Sequence, residues 1–314
     1  SIRCSPEYKY FLKAYEKIEQ TKNYSQMVYV MDRLIHLQSD WGNKEKALDL
    51  QNRRHAIVSS QGYFEEVKKS TRKAIQGNTE YLVRSDLMSS YQSYIYCYLK
   101  LKRYDSANYY LEKLNYELTN YTEIDSSWQT IWVTEATMEI QYYLGNYNKS
   151  IEASDSLQNQ INKNKLGLGQ EKNLRLFKGL SLLKLDNHKE GLQQLLLADS
   201  IFDSNGRNIY PHYNRLLFEK LYDYYTTTGE SEKQIEYLDK IIVVDSLMKV
   251  NYQYFEPEHI RLFETPKLLE AKETLITGLQ NKNEKSNRII RWAVAALIVS
   301  LFLIFYYFNR QVVY

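Results

Sequence analysis

The side chains able to do chemistry are scattered. Five histidines, His36, His55, His188, His212 and His259, form no HExxH motif and no other close pair, so no zinc site is indicated. His188 stands where its repeat unit expects an aromatic, which favours packing over catalysis. The two cysteines, Cys4 and Cys97, match no metal or redox spacing. Cys97 falls on an apolar helical stripe and reads as a small core residue. Gly167-Leu168-Gly169 lacks the remaining glycine and the preceding strand of a dinucleotide fingerprint. Neither a GxxxxGK[ST] phosphate loop nor a GxSxG nucleophile elbow occurs. Asp155-Ser156, Asp199-Ser200 and Asp245-Ser246 recur 44 and 46 residues apart. Recurrence in register makes them helix-terminal or loop-capping pairs rather than nucleophiles. The expectation is a chain with no catalytic residue, no cofactor and no metal: not an enzyme.

The elements that carry these residues are helical. A chain of 314 residues with only 11 Gly and 4 Pro has too little turn chemistry for a many-stranded β fold. Lys and Arg exceed Asp and Glu by only 41 to 38, too weak a bias for wholesale nucleic-acid binding, and no contact with nucleic acid is expected from this chain. Tyrosine is over-used at 30 residues, and the repeat explains where many of them go.

A short turn followed by an amphipathic run recurs at Lys22-Asn23-Tyr24, Gly62-Tyr63-Phe64, Lys102-Arg103-Tyr104, Gly145-Asn146-Tyr147, Asp186-Asn187-His188 and Gly229-Glu230-Ser231. Their third positions lie 40, 40, 43, 41 and 43 residues apart. Tyr91, Tyr94, Ile95 and Tyr98 form one helical stripe before the third turn, and Ala107, Leu111 and Leu114 form another after it. Gly, Asn or Asp in the turn tolerates the left-handed conformation that ends a helix. The aromatic that follows is expected to wedge between the paired helices. Small or modest residues three places on (Ala107, Ser150, Gly191, Val67) let the helices approach closely. The pattern is an α-hairpin repeated about six times.

Tyr104-Asp105-Ser106-Ala107 and Gly145-Asn146-Tyr147-Asn148-Lys149-Ser150 resemble the G-x-Y-x-x-A signature of the tetratricopeptide repeat (TPR) family. Gly179 and Ala198 stand where that family has its first-helix glycine and late second-helix alanine. The period is longer than the family's standard 34, and the closing Pro is missing, so the repeats are TPR-like with longer loops. The resemblance implies an all-α solenoid over residues 1–250 whose first helices line a concave face. In that register the face presents Gln92 and Tyr96, then Trp132, Glu135, Glu139 and Tyr142, then Glu219 and Asp223. This aromatic and acidic set suits a peptide with basic or amide groups. A protein or peptide partner, or a glycan, is therefore expected there.

Residues 251–288 read as a connector and a juxtamembrane stalk helix. Thr265-Pro266 is a good helix start, and Leu268, Leu269, Leu275, Ile276 and Leu279 form a short heptad-like seam through which two copies could pair. From 289 to 308 the chain reads IIRWAVAALIVSLFLIFYYF. At 1.5 Å per residue this run spans the roughly 30 Å hydrocarbon core of a bilayer. Arg288, Arg291, Trp292, Tyr306, Tyr307 and Arg310 are placed to meet the two interfaces. Residues 309–314 read as the start of a tail or of a truncated output region, and Ser1 as the residue after a removed leader.

Orientation is left open by charge. Lys282, Lys285, Arg288 and Arg291 precede the span and only Arg310 follows it, which by the positive-inside rule makes a tail-anchored protein with cytoplasmic repeats. The Tyr-rich array, the segment Phe263-Glu264-Thr265-Pro266-Lys267-Leu268-Leu269-Glu270-Ala271-Lys272-Glu273 and a single span are instead similar to a class of bacterial membrane regulators. That resemblance implies periplasmic repeats, an inner-membrane location and a cytoplasmic AraC-type helix-turn-helix or histidine-kinase output. Two expectations follow: the sensor half of a signalling or transcription regulator, or a structural adaptor subunit anchored in a larger membrane complex.

Overall fold

The computed structural model describes residues 4–21, 23–70, 78–120, 127–164, 168–205 and 211–259, and beyond them 277, 280–281, 283–295, 297, 298 and 300. The chain divides into two compact units, Ser1–Glu256 and Pro257–Tyr314. Among the described residues every element is helical. Up to residue 259 they form α1 (Cys4–Thr21), α2 (Tyr24–Trp41), α3 (Lys44–Val58), α4 (Gln61–Lys69), α5 (Thr79–Lys100) and α6 (Tyr104–Asn120). They continue with α7 (Ser127–Tyr143), α8 (Tyr147–Asn164), α9 (Leu168–Lys184), α10 (His188–Asn205), α11 (Pro211–Thr228) and α12 (Ser231–His259).

The turns show why the helices stop where they do. Lys102, Gly145, Asp186 and Gly229 all have positive φ, between 59° and 81°. At each of them the amide of the next residue folds back on the helix end, as Glu230 N–H does to the Tyr225 carbonyl at 3.1 Å after Gly229. Arg103 N–H donates to the Tyr98 carbonyl at 2.9 Å, Asn146 to Gln141 at 2.9 Å and Asn187 to Leu182 at 2.9 Å. This satisfies carbonyls that a helix end otherwise leaves orphaned. Among the described residues nothing lies within 4 Å of a Cβ placed on Gly145 or Gly229, so glycine is there for its backbone freedom and not for space.

The hairpins so formed are α5/α6, α7/α8 and α9/α10, each pair packed along its length, and consecutive pairs pack on one another. The stack is consistent with a helical solenoid. Ala107 and Ser150 are fully buried at the close approaches, and the Ser150 hydroxyl donates to the Met138 carbonyl across its hairpin at 2.8 Å. Between α9 and α10 two glycines face each other. A Cβ on Gly179 would lie 2.9 Å from the Gly191 carbonyl oxygen, and one on Gly191 3.0 Å from that of Gly179.

At the N-terminal end the register differs from the sequence expectation. The turn expected at Gly62-Tyr63-Phe64 lies inside α4, whose N-cap is Ser60. The tight hairpin there is α2/α3, closed at Gly42-Asn43. Gly42 is not left-handed, with φ −122°. The buried Gln38 side chain accepts the Asn43 N–H at 2.8 Å, and Asn43 caps α3 through Glu45 and Lys46. Ala47, four residues past Asn43, is fully buried like Ala107. Helix α2 is therefore the first helix of a hairpin, and the short α4 is an insertion between that hairpin and the next.

Tyrosines fill the seams. Tyr94 stacks on Tyr110 with ring centres 4.2 Å apart and joins α5 to α6. The turn aromatics do not all wedge within their own hairpin. Tyr104 stacks on Tyr143 of the following hairpin at 4.4 Å, whereas Tyr147 does contact Tyr142 of its own. His188 is 68% exposed, so it does not replace an aromatic wedge. The larger buried tyrosines keep their hydroxyls paired: Tyr63 donates to Asp86 and Tyr237 to Asp199, both at 2.7 Å.

In the second unit the described residues are helical, with 283–295 the longest stretch. Ile289, Trp292 and Leu297 are each more than 60% exposed. Among the described residues no helix is long and apolar enough to cross a membrane. Residues 296, 299 and 301–308 of the apolar run, with Arg310, lie outside the described residues, as do Leu268, Leu269, Leu275, Ile276 and Leu279 of the expected stalk seam.

Candidate binding cavity

The first helices of successive hairpins turn one face toward a shared cavity of about 470 Å³. Helix α2 contributes Asp32, His36 and Asp40, and α5 contributes Ser89, Gln92, Ser93, Tyr96, Leu99 and Lys100. Trp132, Glu135, Ala136 and Glu139 come from α7, Gln170 and Asn173 from α9, and Tyr213 from α11. The i, i+3, i+4 and i+7 spacing of these positions is that of a single helix face.

The curve of the stack closes the cavity. His212 at the start of α11 lies with its Nε2 3.2 Å from the Asp40 carbonyl oxygen, and its ring packs on Trp41 at 5.9 Å. Burial and the nearby Lys100 ammonium lower the His212 imidazole below its ordinary range, which keeps it neutral at this contact. Next to it, Tyr213 reaches across the cavity and donates to Glu139 at 2.7 Å.

Charge in the cavity is unevenly balanced. Asp32 pairs with the buried Arg54 at 3.4 Å. Asp40 pairs with Lys100 at 3.0 Å and accepts the Tyr96 hydroxyl. The Lys100 ammonium lies 5.1 Å from the Tyr96 ring centre and 5.9 Å from that of Tyr213. Glu135 and Glu139, one turn apart on α7, differ from these two. Glu135 accepts from Asn173 Nδ2 at 2.8 Å and Glu139 from Tyr213, both uncharged donors. Among the described residues neither makes an ion pair. Burial pushes both carboxyls up, Glu139 to about 7, against the pull of their hydrogen bonds. Among the described residues no three of His, Cys, Asp or Glu converge as a metal ion requires.

Of the residues picked from sequence, Gln92, Tyr96, Trp132, Glu135 and Glu139 line the cavity together. Tyr142 instead packs edge-on against Phe177, in the seam between hairpins. Glu219 is held by Arg215, and the exposed Asp223 pairs with Lys220 at 3.1 Å. Of the expected membrane-interface residues, Arg288, Arg291 and Trp292 are helical and exposed, whereas Tyr306, Tyr307 and Arg310 lie outside the described residues. Sequence reasoning missed Asp32, His36 and Asp40 because it placed α2 second in its hairpin. The missed signal was Gly42-Asn43-Lys44-Glu45-Lys46-Ala47, which parallels Gly145-Asn146-Tyr147-Asn148-Lys149-Ser150.

No protein-family model matches the chain, and no curated protein matches it in sequence. Its fold is similar to the crystal structure of BtubC (BKLC) from P. vanneervenii, with a TM-score of 0.51 over 79% of this chain and 93% of that one. At 12% identity this likeness concerns the fold alone.

Proposed function

We propose that this chain is a non-enzymatic TPR-like binding protein, and that it serves as the membrane-anchored sensor part of a signalling or transcription regulator. The observation that carries the reading is the cavity itself. Five helices from separate hairpins turn aromatic, amide and acidic side chains inward, and the His212 contact with Asp40 closes the ring around them. Repeat solenoids present their ligand surfaces in this way. The partner in this reading is a peptide, a protein or a glycan.

Anchorage is supported by the second unit. Ile289, Ile290, Trp292, Val294, Leu297 and Ile298 are 49–73% exposed on helical backbone, with Arg288 and Arg291 at the start of the apolar run. So many large apolar groups facing outward call for lipid or a partner helix. In the sensor reading 289–308 spans the bacterial inner membrane, the repeats are periplasmic, and two copies pair through the stalk. A second reading, favoured by the cationic residues before the apolar run, is an adaptor subunit with cytoplasmic repeats and a tail anchor.

The deciding experiment is topology. Single cysteines at Lys163 and Arg310, in a Cys4-free background, are exposed to an impermeant thiol reagent in cells bounded only by the inner membrane. Labelling at position 163 alone supports the sensor. Labelling at position 310 alone overturns it and leaves the tail-anchored adaptor.

A further inference from the structure

We propose that the Glu135–Glu139–Asn173 wall of the cavity is a receptor site for a primary ammonium group, carried by a small free amine or by the lysine side chain of a peptide. The assignment rests on the reading of the cavity as the ligand-binding face.

Three features of the wall converge on a cation with several N–H donors. Glu135 and Glu139 are four residues apart on α7, so their carboxyls occupy adjacent turns of one helix face. They are the two cavity carboxylates without an ion pair among the described residues, Lys100 acting on Glu139 only at longer range, in contrast to Asp32 with Arg54 and Asp40 with Lys100. Asn173, only 4% exposed, lines the same wall. Its Nδ2 donates to Glu135, while its Oδ1 is buried with no hydrogen-bond partner among the described residues. A buried acceptor left unmatched costs stability, and it marks a place where a donor from outside would be favoured. The wall therefore offers two carboxylates beside a buried amide oxygen that lacks a donor, and an ammonium brings three N–H donors and no acceptor.

The remaining lining fits the alkyl part and the charge. Trp132, Tyr96 and Tyr213 supply aromatic faces. The protein already holds one ammonium by this chemistry, since Lys100 sits against the Tyr96 and Tyr213 rings and pairs with Asp40. A second ammonium would complete the arrangement at the α7 wall. Burial raises both carboxyls there, and a bound cation would draw their protons off and bind the ionised pair. The cavity volume of about 470 Å³ suits a short amine or one long side chain.

The test is calorimetric titration of the full chain in non-ionic detergent at pH 8. The probes are cadaverine and acetyl-Gly-Lys-Gly-amide, with pentanol and the norleucine analogue of the peptide as neutral controls. Both ammonium probes or one of them should bind, the neutral controls should not, and Glu135→Gln or Glu139→Gln should weaken binding by about tenfold or more. Both variants keep an oxygen for the Asn173 or Tyr213 donor, and circular dichroism verifies their fold. Tighter binding of cadaverine identifies a free amine as ligand, and tighter binding of the peptide identifies a lysine-bearing partner. Failure of both ammonium probes at millimolar concentration overturns the assignment, as does unchanged binding in a chain that carries both Glu135→Gln and Glu139→Gln. Labelling of position 163 alone in the topology experiment would still uphold the receptor reading after such a failure, so the two can fall separately.

Discussion

Tyr213 on α11 donates its hydroxyl to Glu139 on α7 at 2.7 Å, joining helices whose contacting residues are 74 positions apart. The bond crosses the cavity, so it is at once a strut of the helical stack and part of the cavity wall. Burial and the negative carboxylate beside it hold the Tyr213 hydroxyl in its protonated, donating form far above the ordinary phenol range. Tyr213→Phe leaves a buried carboxyl without its donor and should cost about 1–3 kcal/mol in denaturant unfolding at pH 8. Glu139→Gln should cost less, because the amide oxygen still accepts. The two changes together should be non-additive, since the second removes a partner already lost. Simple additivity would show that the bond does not hold α11 in place.

Glu139 also gives stability a pH dependence whose sign is fixed by its environment. Its carboxyl is raised to about 7 in the folded chain, from an ordinary value of 4.5, chiefly by burial. The folded state thus binds the extra proton between those values, so stability is highest below 4.5 from this group and is lost as pH rises through 7. Between pH 5 and pH 8 the wild type should lose on the order of 2 kcal/mol more than Glu139→Gln, at most about 1.4 kcal/mol per unit. His212 acts in the opposite direction. Its lowered value means that acid below 6.5 penalises the fold, so its contribution falls at the low end of the same titration. Urea unfolding of the two proteins across this range separates the carboxyl from everything they share. Parallel curves would contradict the assignment.

What was legible in the sequence depended on range. Local rules found most of the helices and the four turns at 102, 145, 186 and 229, because a left-handed residue such as Gly145 or Asp186 ends a helix by itself. The periodicity that put Glu135 and Glu139 on one face is equally local. The α2/α3 hairpin was missed because its turn relies on Gln38, a buried side chain inside the preceding helix, instead of a positive φ. Closure of the cavity by His212 and Tyr213 was invisible for a different reason. It depends on the accumulated curvature of four hairpins, which sums small rotations that no single segment encodes. The pairing of Asp32 with Arg54 lies within the missed α2/α3 hairpin, and that of Asp40 with Lys100 joins it to the next.

The facing glycines of α9 and α10 separate two roles of the same residue. A Cβ at Gly179 would meet Leu195 at 2.8 Å and the Gly191 carbonyl at 2.9 Å. Side chain can shift but backbone cannot do so cheaply. Gly179→Ala and Gly191→Ala should each destabilise by about 1–3 kcal/mol through overpacking, even after the gain in helix propensity. Gly145→Ala meets no atom within 4 Å but must hold φ at +81°, so it should cost about 1–2 kcal/mol from backbone strain alone. Asparagine tolerates that region, so Gly145→Asn should recover part of the loss, whereas Gly179→Asn should be worse than alanine. Thermal unfolding of the five variants tests the distinction, and recovery by Asn at both sites would refute it.

Cys97 reports on the cavity from behind. It is 1% exposed on α5, with its sulfur 3.7 Å from the Ser39 hydroxyl of α2, and burial pushes its thiol up to about 12. The reactive species is the thiolate, so the native residue should be inert to a thiol reagent at pH 8 while α2 and α5 stay packed. Reaction must then wait for that seam to open, and its rate follows the population of the open form. Both helices also line the cavity. A ligand that bridges their inner faces stabilises the closed seam in proportion to RT ln(1 + [L]/Kd), so labelling should slow about elevenfold at ten times Kd. Labelling of Cys97 in a Cys4-free chain, with and without cadaverine, gives this rate directly. Native labelling as fast as that of the urea-unfolded chain would show that the seam does not protect the thiol. A protected thiol whose rate ignores a ligand shown to bind would place that ligand away from the α2 and α5 faces.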